Sequence, residues 1–494
     1  MTEIELKLAL PLQAAASRLR QLARLPLLAG CDRRRQQLHN IYFDTPERHL
    51  LQQGVVLRMR RVGSGASAFW LQTLKTGDHA TSALSRRGEW ESRLGQPELS
   101  APLLADTPWR EIDPHGSVFA RLQPCFHTQF TRTRWTLLQA DGCEVEVALD
   151  RGQIVAGTRN EPICELELEL KAGQASGLFD IALQIARVVP VIPAGASKSE
   201  RGYALAGAVP AGRAADRGAL APAGLARTAL HTAWHQFTSN LIGMRSDDDP
   251  EPVHQARVAW RRFRTARRLF RPILDTAFPD VRPALAPFLQ QLGAVRDLDV
   301  ARAQSLPGLA DAYVAGDAQR ARAWQRMLGQ LERRTEAARV AMRQAIDQPA
   351  VGHALTRVTQ WLEGLAPDGT PADAPPTSAA AARAWALRRL RRQHRALRDA
   401  HRGSPDSDTR QHQLRILAKR LRYGVDMLRP LLPTRRARRW NHLASQLQSD
   451  IGDQRDAMQA AVLVRGLRGH AQIAEFLRGH AVAMAAAAQR RRPA

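Results

Sequence analysis

Over the first 205 residues, charged and apolar side chains alternate with a period of two, and few folds accommodate that pattern. The runs EIELK, VVLRMR, WLQTLK, RGEWE, TRTRW, EVEVALD and CELELELK are short and separated by turn signals such as DTPE, RVGSG, DG and KAG. Residues two apart share one face of a strand. Glu3, Glu5 and Lys7 therefore point one way, as do Arg58 with Arg60, Arg87 with Glu89 and Glu91, and Arg132 with Arg134. Glu144, Glu146 and Asp150 form a further row, and so do Glu165, Glu167, Glu169 and Lys171. Intervening positions are mostly apolar, for example Ile4, Leu6, Leu57, Met59, Val145, Val147, Leu166 and Leu168. An ordinary half-solvated sheet is the plain alternative. Like charges side by side are costly unless neutralised, however. A bound cation would settle EIE and ELELE, and a phosphate-rich anion would settle LRMR and the lysines. Closing the sheet into a barrel sets both groups around one lumen. Helical patterns interrupt the strands near 11–25 and 174–188.

The pattern changes after residue 205. Residues 206–224 are rich in Ala, Gly and Pro and read as a linker. From 225 to 494 apolar residues recur at helical spacing, with a second break, Pro- and Ala-rich, at 365–382. The expected fold class is therefore α+β multidomain. An eight-stranded antiparallel β-barrel tunnel with flanking helices occupies 1–205, and an all-α duplicated helical bundle occupies 225–494.

Duplication is visible in the sequence. His254, Arg257, Arg261, Arg262 and Arg264 match His412, Arg415, Lys419, Arg420 and Arg422 in the pattern H-x-x-R-x-x-x-[RK]-R-x-R. About forty residues on, GAVRD (Gly293, Arg296, Asp297) matches GDQRD (Gly452, Arg455, Asp456). The repeats are assigned to about 225–364 and 383–494. On a helix, positions +3, +7 and +10 fall on one side of the starting residue. His254, Arg257, Arg261 and Arg264 thus form one basic stripe, and His412, Arg415, Lys419 and Arg422 another. Asp297 and Asp456, each beside an Arg, are expected as structural salt bridges.

Of a formal net charge of +25, only +3 falls on residues 1–206, which hold 25 Lys/Arg against 22 Asp/Glu, and +22 falls on the rest. Such asymmetry favours a polyanion at the second part. Few aromatics interleave with the basic residues and no zinc-finger or RNP pattern occurs, which argues against nucleic acid. Cys31, Cys125, Cys143 and Cys164 make no CxxC pair. Reduced thiols in a cytoplasmic protein, with no membrane span and no signal peptide, are the expectation. No P-loop motif is present.

In this setting Glu3-x-Glu5-x-Lys7 resembles the opening signature of CYTH domains, the triphosphate tunnel metalloenzymes. YFDTP (42–46), LRMR, the pair Leu74 and Lys75, RGEWE, FTRTRW, EVALDRG, EPICELELELK and SKSERGYAL follow in the family's order. The helical duplication resembles the CHAD domain, and the order of the two resembles bacterial CYTH–CHAD inorganic triphosphatases. The resemblance implies Mg²⁺ or Mn²⁺ held by Glu3, Glu5, Glu165 and Glu167, although Glu167 with Glu169 is an equally spaced pair. It implies phosphate contacts from Lys7, Arg58, Arg60, Lys75, Arg132 and Lys198. Glu89, Glu91 and Asp150 would complete the lumen and orient the attacking water. Arg134 is expected to be a neighbour only, and Tyr42 and Asp44 to shape a turn. The implied reaction is hydrolysis of inorganic triphosphate to diphosphate and phosphate. The stripes would bind inorganic polyphosphate, with association to polyphosphate granules. A granule-binding module with little catalysis, or an adenylate cyclase, are the competing readings.

Overall fold

The structure, a computed structural model, describes residues 2–12, 20–77, 82–208, 221–274, 276–365, 378–402 and 408–490. It divides into two compact units, Met1–Ala215 with Asp347–Glu363, and Asp216–Ile346 with Gly364–Ala494.

Eight strands build the first unit: β1 (Thr2–Ala9), β2 (Arg33–Asp44), β3 (Val55–Val62), β4 (Phe69–Thr76), β5 (Leu84–Leu94), β6 (Gln123–Leu138), β7 (Glu144–Ala156) and β8 (Arg159–Ala172). Neighbours run in the order β5-β4-β3-β2-β6-β7-β8-β1, and β1 also pairs with β5, so the antiparallel sheet closes on itself. A short β9 (Ile192–Pro193) adds to β1 beyond β8. The period-two pattern now has a physical meaning. Charged rows face the lumen, and apolar rows face outward. Leu6, Leu8, Val145, Val147, Leu149, Leu166 and Leu168 form a core outside the barrel wall with Leu178, Ile181, Ala182 and Ile185. The last four come from α1 (Ser176–Ala186), whose apolar residues recur at three and four positions and are buried. The second flanking helix, α2 (Lys198–Leu205), starts at a capping box. Ser197 Oγ accepts from the Glu200 amide, and Glu200 accepts from the Ser197 amide at 2.7 Å. The helical pattern expected at 11–25 lies largely outside the described residues, as does most of the 206–224 linker.

Strand register answers the like-charge problem in part. Along each strand the charges repeat, but at several positions opposite charges face each other across strands, although Glu5 lies opposite Glu169 and Asp150 opposite Glu165. Glu3 lies opposite Arg87, Lys7 opposite Glu167, Lys75 opposite Glu89, and Arg132 opposite Asp150.

The second unit is helical. It contains α3 (Pro222–Gly243), α4 (Pro250–Phe270), α5 (Arg282–Val300) and α6 (Ala318–Ile346). After the intervening α7 (Pro349–Glu363) come α8 (Ala379–Arg402), α9 (Asp408–Leu428), α10 (Thr434–Arg465) and α11 (Ala471–Arg490). The duplication is structural as well as sequential. The motif helices α4 and α9 both end in a 3₁₀ turn, Arg271–Ile273 and Arg429–Leu431, with Pro at its second position. Antiparallel neighbours α3 and α8 precede them, and α5 and α10, carrying GAVRD and GDQRD, follow. Helix α4 also contacts α9, and α5 contacts α10.

Helix α7 departs from the expected division. Its sequence falls within the first helical repeat, yet it packs in the barrel unit, against α1 and β9. Nine of its fifteen residues are buried, among them Val351, Leu355, Val358 and Leu362. Gly352 permits the contact, because a Cβ there would stand 2.6 Å from the Val191 carbonyl oxygen.

Candidate active site

The barrel encloses a cavity of about 840 Å³. Among the described residues its wall carries seven carboxylates and nine Lys/Arg side chains. Eleven of the thirteen expected tunnel residues are on it: Glu3, Glu5, Lys7, Arg58, Arg60, Lys75, Glu89, Glu91, Arg132, Glu167 and Lys198. The other two, Asp150 and Glu165, stand directly behind the wall, 0 % and 3 % exposed.

Helix α2 delivers Lys198 into the carboxylates. Its Nζ lies 2.6 Å from Asp150, and donates to Glu165 at 2.5 Å and to Glu167 at 2.7 Å. The carboxylate oxygens of Asp150, Glu165 and Glu167 lie within 4.8 Å of one another, the one such group among the described residues. These are hard oxygen donors suited to Mg²⁺ or Mn²⁺. Arg132 bridges from the other side, donating to Asp150 at 2.8 and 2.7 Å and to Glu167. Farther along the lumen, Lys75 donates to Glu3 at 2.7 Å and approaches Glu89 at 3.2 Å, and Lys7 lies 2.9 Å from Glu5.

Burial and neighbours set the protonation states. Burial first, then Glu167, pushes Glu5 up to about 7 against the pull of Lys7. Glu167 is held well below the usual carboxylate range, because Lys198 and Arg132 outweigh its own burial. Burial works against charge on Lys198, but Asp150, Glu165 and Glu167 raise it above the ordinary lysine value. Arg60, buried beside Arg58 and Arg132, is lowered to about 10. Arg58 Nε and Arg87 Nε are buried at the cavity with no hydrogen-bond partner. Buried donors of this kind suit an anionic acceptor.

Some placements differ from the expectations. Glu165 turns behind the wall to Lys198 and Arg201 (2.9 Å), whereas Glu167 and Glu169 both face the cavity. Arg134 and Tyr42 also line it. Asp44 does shape its turn: fully buried, it accepts from the amides of Thr45, Leu50 and Leu51 and from Tyr203 Oη at 3.0 Å, which ties α2 to the barrel. Arg201 was not singled out from the sequence. Its position three residues after Lys198, on the same side of a helix, was the available signal; it donates to Glu161, Glu165 and the Pro162 carbonyl.

In the helical unit the two stripes meet. Arg257 and Arg415 act on each other, as do Arg261 and Lys419. Burial first, then Arg261 and Arg415, lowers Lys419 to about 7. Arg257, Arg261, Arg415 and Arg422 each bury an Nε without a hydrogen-bond partner. A Cβ on Gly293 would stand 2.8 Å from Arg257, so the glycine of GAVRD makes room for that guanidinium. His254 is half-buried and held neutral-ward by burial and Arg296, and Arg264 is exposed. The side chain of His412 lies outside the described residues. Asp297 accepts from Gln459 at 3.4 Å and sits in the field of Arg257 and Arg455. No described helix is long and apolar enough to cross a membrane.

The CYTH domain model matches residues 1–203, and the CHAD domain model matches 228–465. An inorganic triphosphatase from Haemophilus influenzae is 34% identical over 207 residues, 42% of this chain and 55% of that protein. The chain thus spans about half the length of this curated relative. A CHAD domain structure from the plant Ricinus communis is similar at 23% identity and a TM-score of 0.45, covering 54% of this chain and 87% of that one. A Hippeastrum protein assigned as an adenylyl cyclase, and described as having a dominant triphosphatase activity, is similar at 22% identity and a TM-score of 0.31, covering 42% and 97%.

Proposed function

We propose that this chain, which belongs to the CYTH family through residues 1–203 and to the CHAD family through residues 228–465, hydrolyses inorganic triphosphate in its barrel and holds inorganic polyphosphate on its helical unit. One observation carries the enzymatic reading. Among the described residues, a closed lumen sets seven carboxylates and nine Lys/Arg side chains around a cavity of about 840 Å³. Phosphoryl transfer needs little covalent chemistry from a protein; it needs positioning and charge compensation. Both kinds of group are here, interleaved around one lumen.

Glu3, Glu5, Glu167 and either Glu165 or Glu169 would hold the divalent ions, which when bound supply Lewis-acid polarisation of phosphate oxygens. The rest falls to the chain. Arg58, Arg60 and Arg132 fork onto phosphate oxygens, and Lys7, Lys75 and Lys198 add point charges. Glu89 and Glu91 orient water at the terminal phosphorus. Water oxygen bonds to that phosphorus, the P–O bond to the bridging oxygen breaks, and diphosphate leaves with charge offset by the arginines. In the helical unit, the facing stripes with their unpartnered Arg257, Arg261, Arg415 and Arg422 Nε groups support binding of a chain of phosphates, and through it association with polyphosphate granules.

The test is phosphate release from tripolyphosphate, ATP and thiamine triphosphate side by side, with Mg²⁺, Mn²⁺ or EDTA. Metal-dependent turnover fastest on tripolyphosphate is expected. No release from any of the three refutes the enzymatic reading, and cyclic nucleotide from ATP would replace it with a cyclase.

A further inference from the structure

The chain has five lysines, and four of them are in the barrel. Each of the four sits on a carboxylate: Lys7 on Glu5 at 2.9 Å, Lys75 on Glu3 at 2.7 Å, Lys171 on Glu169 at 2.6 Å and Lys198 on Glu165 at 2.5 Å. The fifth, Lys419, is the one lysine among the 47 Lys/Arg that follow residue 206. It stands on α9 at the place where the first repeat carries Arg261. Among the described residues it forms no salt bridge. The charges that act on it are Arg261 from α4, Arg415 one turn back on α9, and Asp456 and Arg455 from α10. Three positive groups against one negative, together with burial, favour the free amine over the ammonium. Lys419 is only half-buried. On the same two helices, α4 and α9, Arg261, Arg415 and Arg422 each bury an Nε that has no hydrogen-bond partner.

We infer that Lys419 is a modification site: an acyl phosphate, its phosphate held by the surrounding arginines, transfers its acyl group to Nζ. The class of reagent follows from the two halves of the cluster. Guanidinium groups with unused donors take phosphate oxygens. A lysine amine desolvated beside other cations is an activated nucleophile. An acyl phosphate offers that amine an electrophilic carbon next to an anion the arginines can grip. The Nζ lone pair bonds to the carbonyl carbon, the C–O bond to phosphate breaks, and the amine proton leaves with the phosphate. The products are an amide on Lys419 and inorganic phosphate, and nothing is oxidised or reduced. The arginines offset the charge of the departing phosphate. At the ordinary lysine value of 10.5, about one amine in three thousand is free at pH 7; Lys419, lowered to about 7, has about half free. The amide carries no charge, so acylation removes one cation from the facing stripes. Only that last consequence rests on the polyphosphate reading above; the acylation rests on the cluster itself.

The experiment incubates the full wild-type chain with acetyl phosphate near pH 7.5 and follows each lysine by peptide mass spectrometry. Lys419 should be acetylated at least about tenfold faster than Lys171, whose side chain is 38% exposed. Excess inorganic phosphate, which competes for the same arginines, should slow the reaction at Lys419 several-fold, and Arg415→Gln should slow it as well. Reaction at Lys419 no faster than at Lys171 overturns the inference. So does a fast reaction that phosphate leaves untouched, because the arginines would then not be anchoring the reagent. The acetylated chain is then titrated with polyphosphate by calorimetry near pH 6, where the unmodified Lys419 is protonated. Its affinity should be several-fold lower than that of the unmodified chain. Undiminished affinity after full acetylation would overturn the polyphosphate role of this stripe and not the acylation.

Discussion

Lys198→Met is the sharpest test of the lumen as described. Lys198 is 7% exposed and reaches three carboxylates at 2.5–2.7 Å. Those carboxylates have oxygens within 4.8 Å of one another. Methionine keeps the volume and removes the charge, leaving Arg132 and Arg201 to balance all three. Removing one partner of a buried ion pair costs about 3–5 kcal/mol. The folded-state pKa of Lys198 lies above its unfolded value. Its contribution is therefore fully present below the ordinary lysine value of 10.5 and is lost only as pH rises through the folded value, so a measurement near pH 7.5 reads all of it. At about 2–4 °C per kcal/mol for a unit of this size, the melting transition of the barrel should fall by about 6–20 °C. The control is Lys171→Met. Lys171 pairs with Glu169 at 2.6 Å, but its side chain is 38% exposed, and such a pair is worth about 1 kcal/mol or less. Scanning calorimetry of both variants in EDTA makes the comparison. Equal transitions would refute the argument, because Lys198 would then not be compensating buried charge.

Glu3→Gln and Glu5→Gln should each abolish triphosphate hydrolysis while leaving polyphosphate affinity of the helical unit unchanged, read by phosphate release and by calorimetry on the same preparations. Polyphosphate affinity should fall several-fold between pH 6 and pH 8.5, because Lys419, lowered to about 7, is charged below that pH and neutral above it; Lys419→Arg, which stays charged, should flatten the profile in calorimetric titrations. Leu355→Ala on α7 should cost about 2–5 kcal/mol in the melting transition of the barrel unit, since that residue is wholly buried there; a shift confined to the helical unit's transition would contradict the assignment.

The barrel was legible because its chemistry repeats every two residues and each repeat has one physical explanation: charge to the lumen, hydrocarbon outward. The duplication was legible because two separated signatures recur in the same order. Other features were not. Glu165, Glu167 and Glu169 are equivalent in a period-two pattern, and only the register against β1, with Lys7 opposite Glu167, together with the descent of Lys198 from α2, distinguishes the one behind the wall from the two that face it. Arg201 was hidden because its partners, Glu161 and Glu165, lie 40 and 36 residues away.

Helix α7, which the sequence places within the first helical repeat, groups with the barrel unit for a deeper reason. A barrel with its charges inside must bury its hydrocarbon outside, and a closed sheet has no second sheet to cover it. Helices have to do so. Helix α1 covers part of the wall, and the buried Val189, Val191 and Ile192 beyond it extend the apolar surface. Helix α7 carries Val351, Leu355, Val358 and Leu362, an i, i+4, i+7 and i+11 stripe. From sequence alone that stripe fits any core. At Gly352 its backbone comes close against Val191, where a Cβ would stand 2.6 Å from the carbonyl oxygen. The same inversion that makes the lumen able to hold metal and phosphate thus recruits a segment from more than a hundred residues downstream, and a barrel cut off after α2 would lack part of its own core.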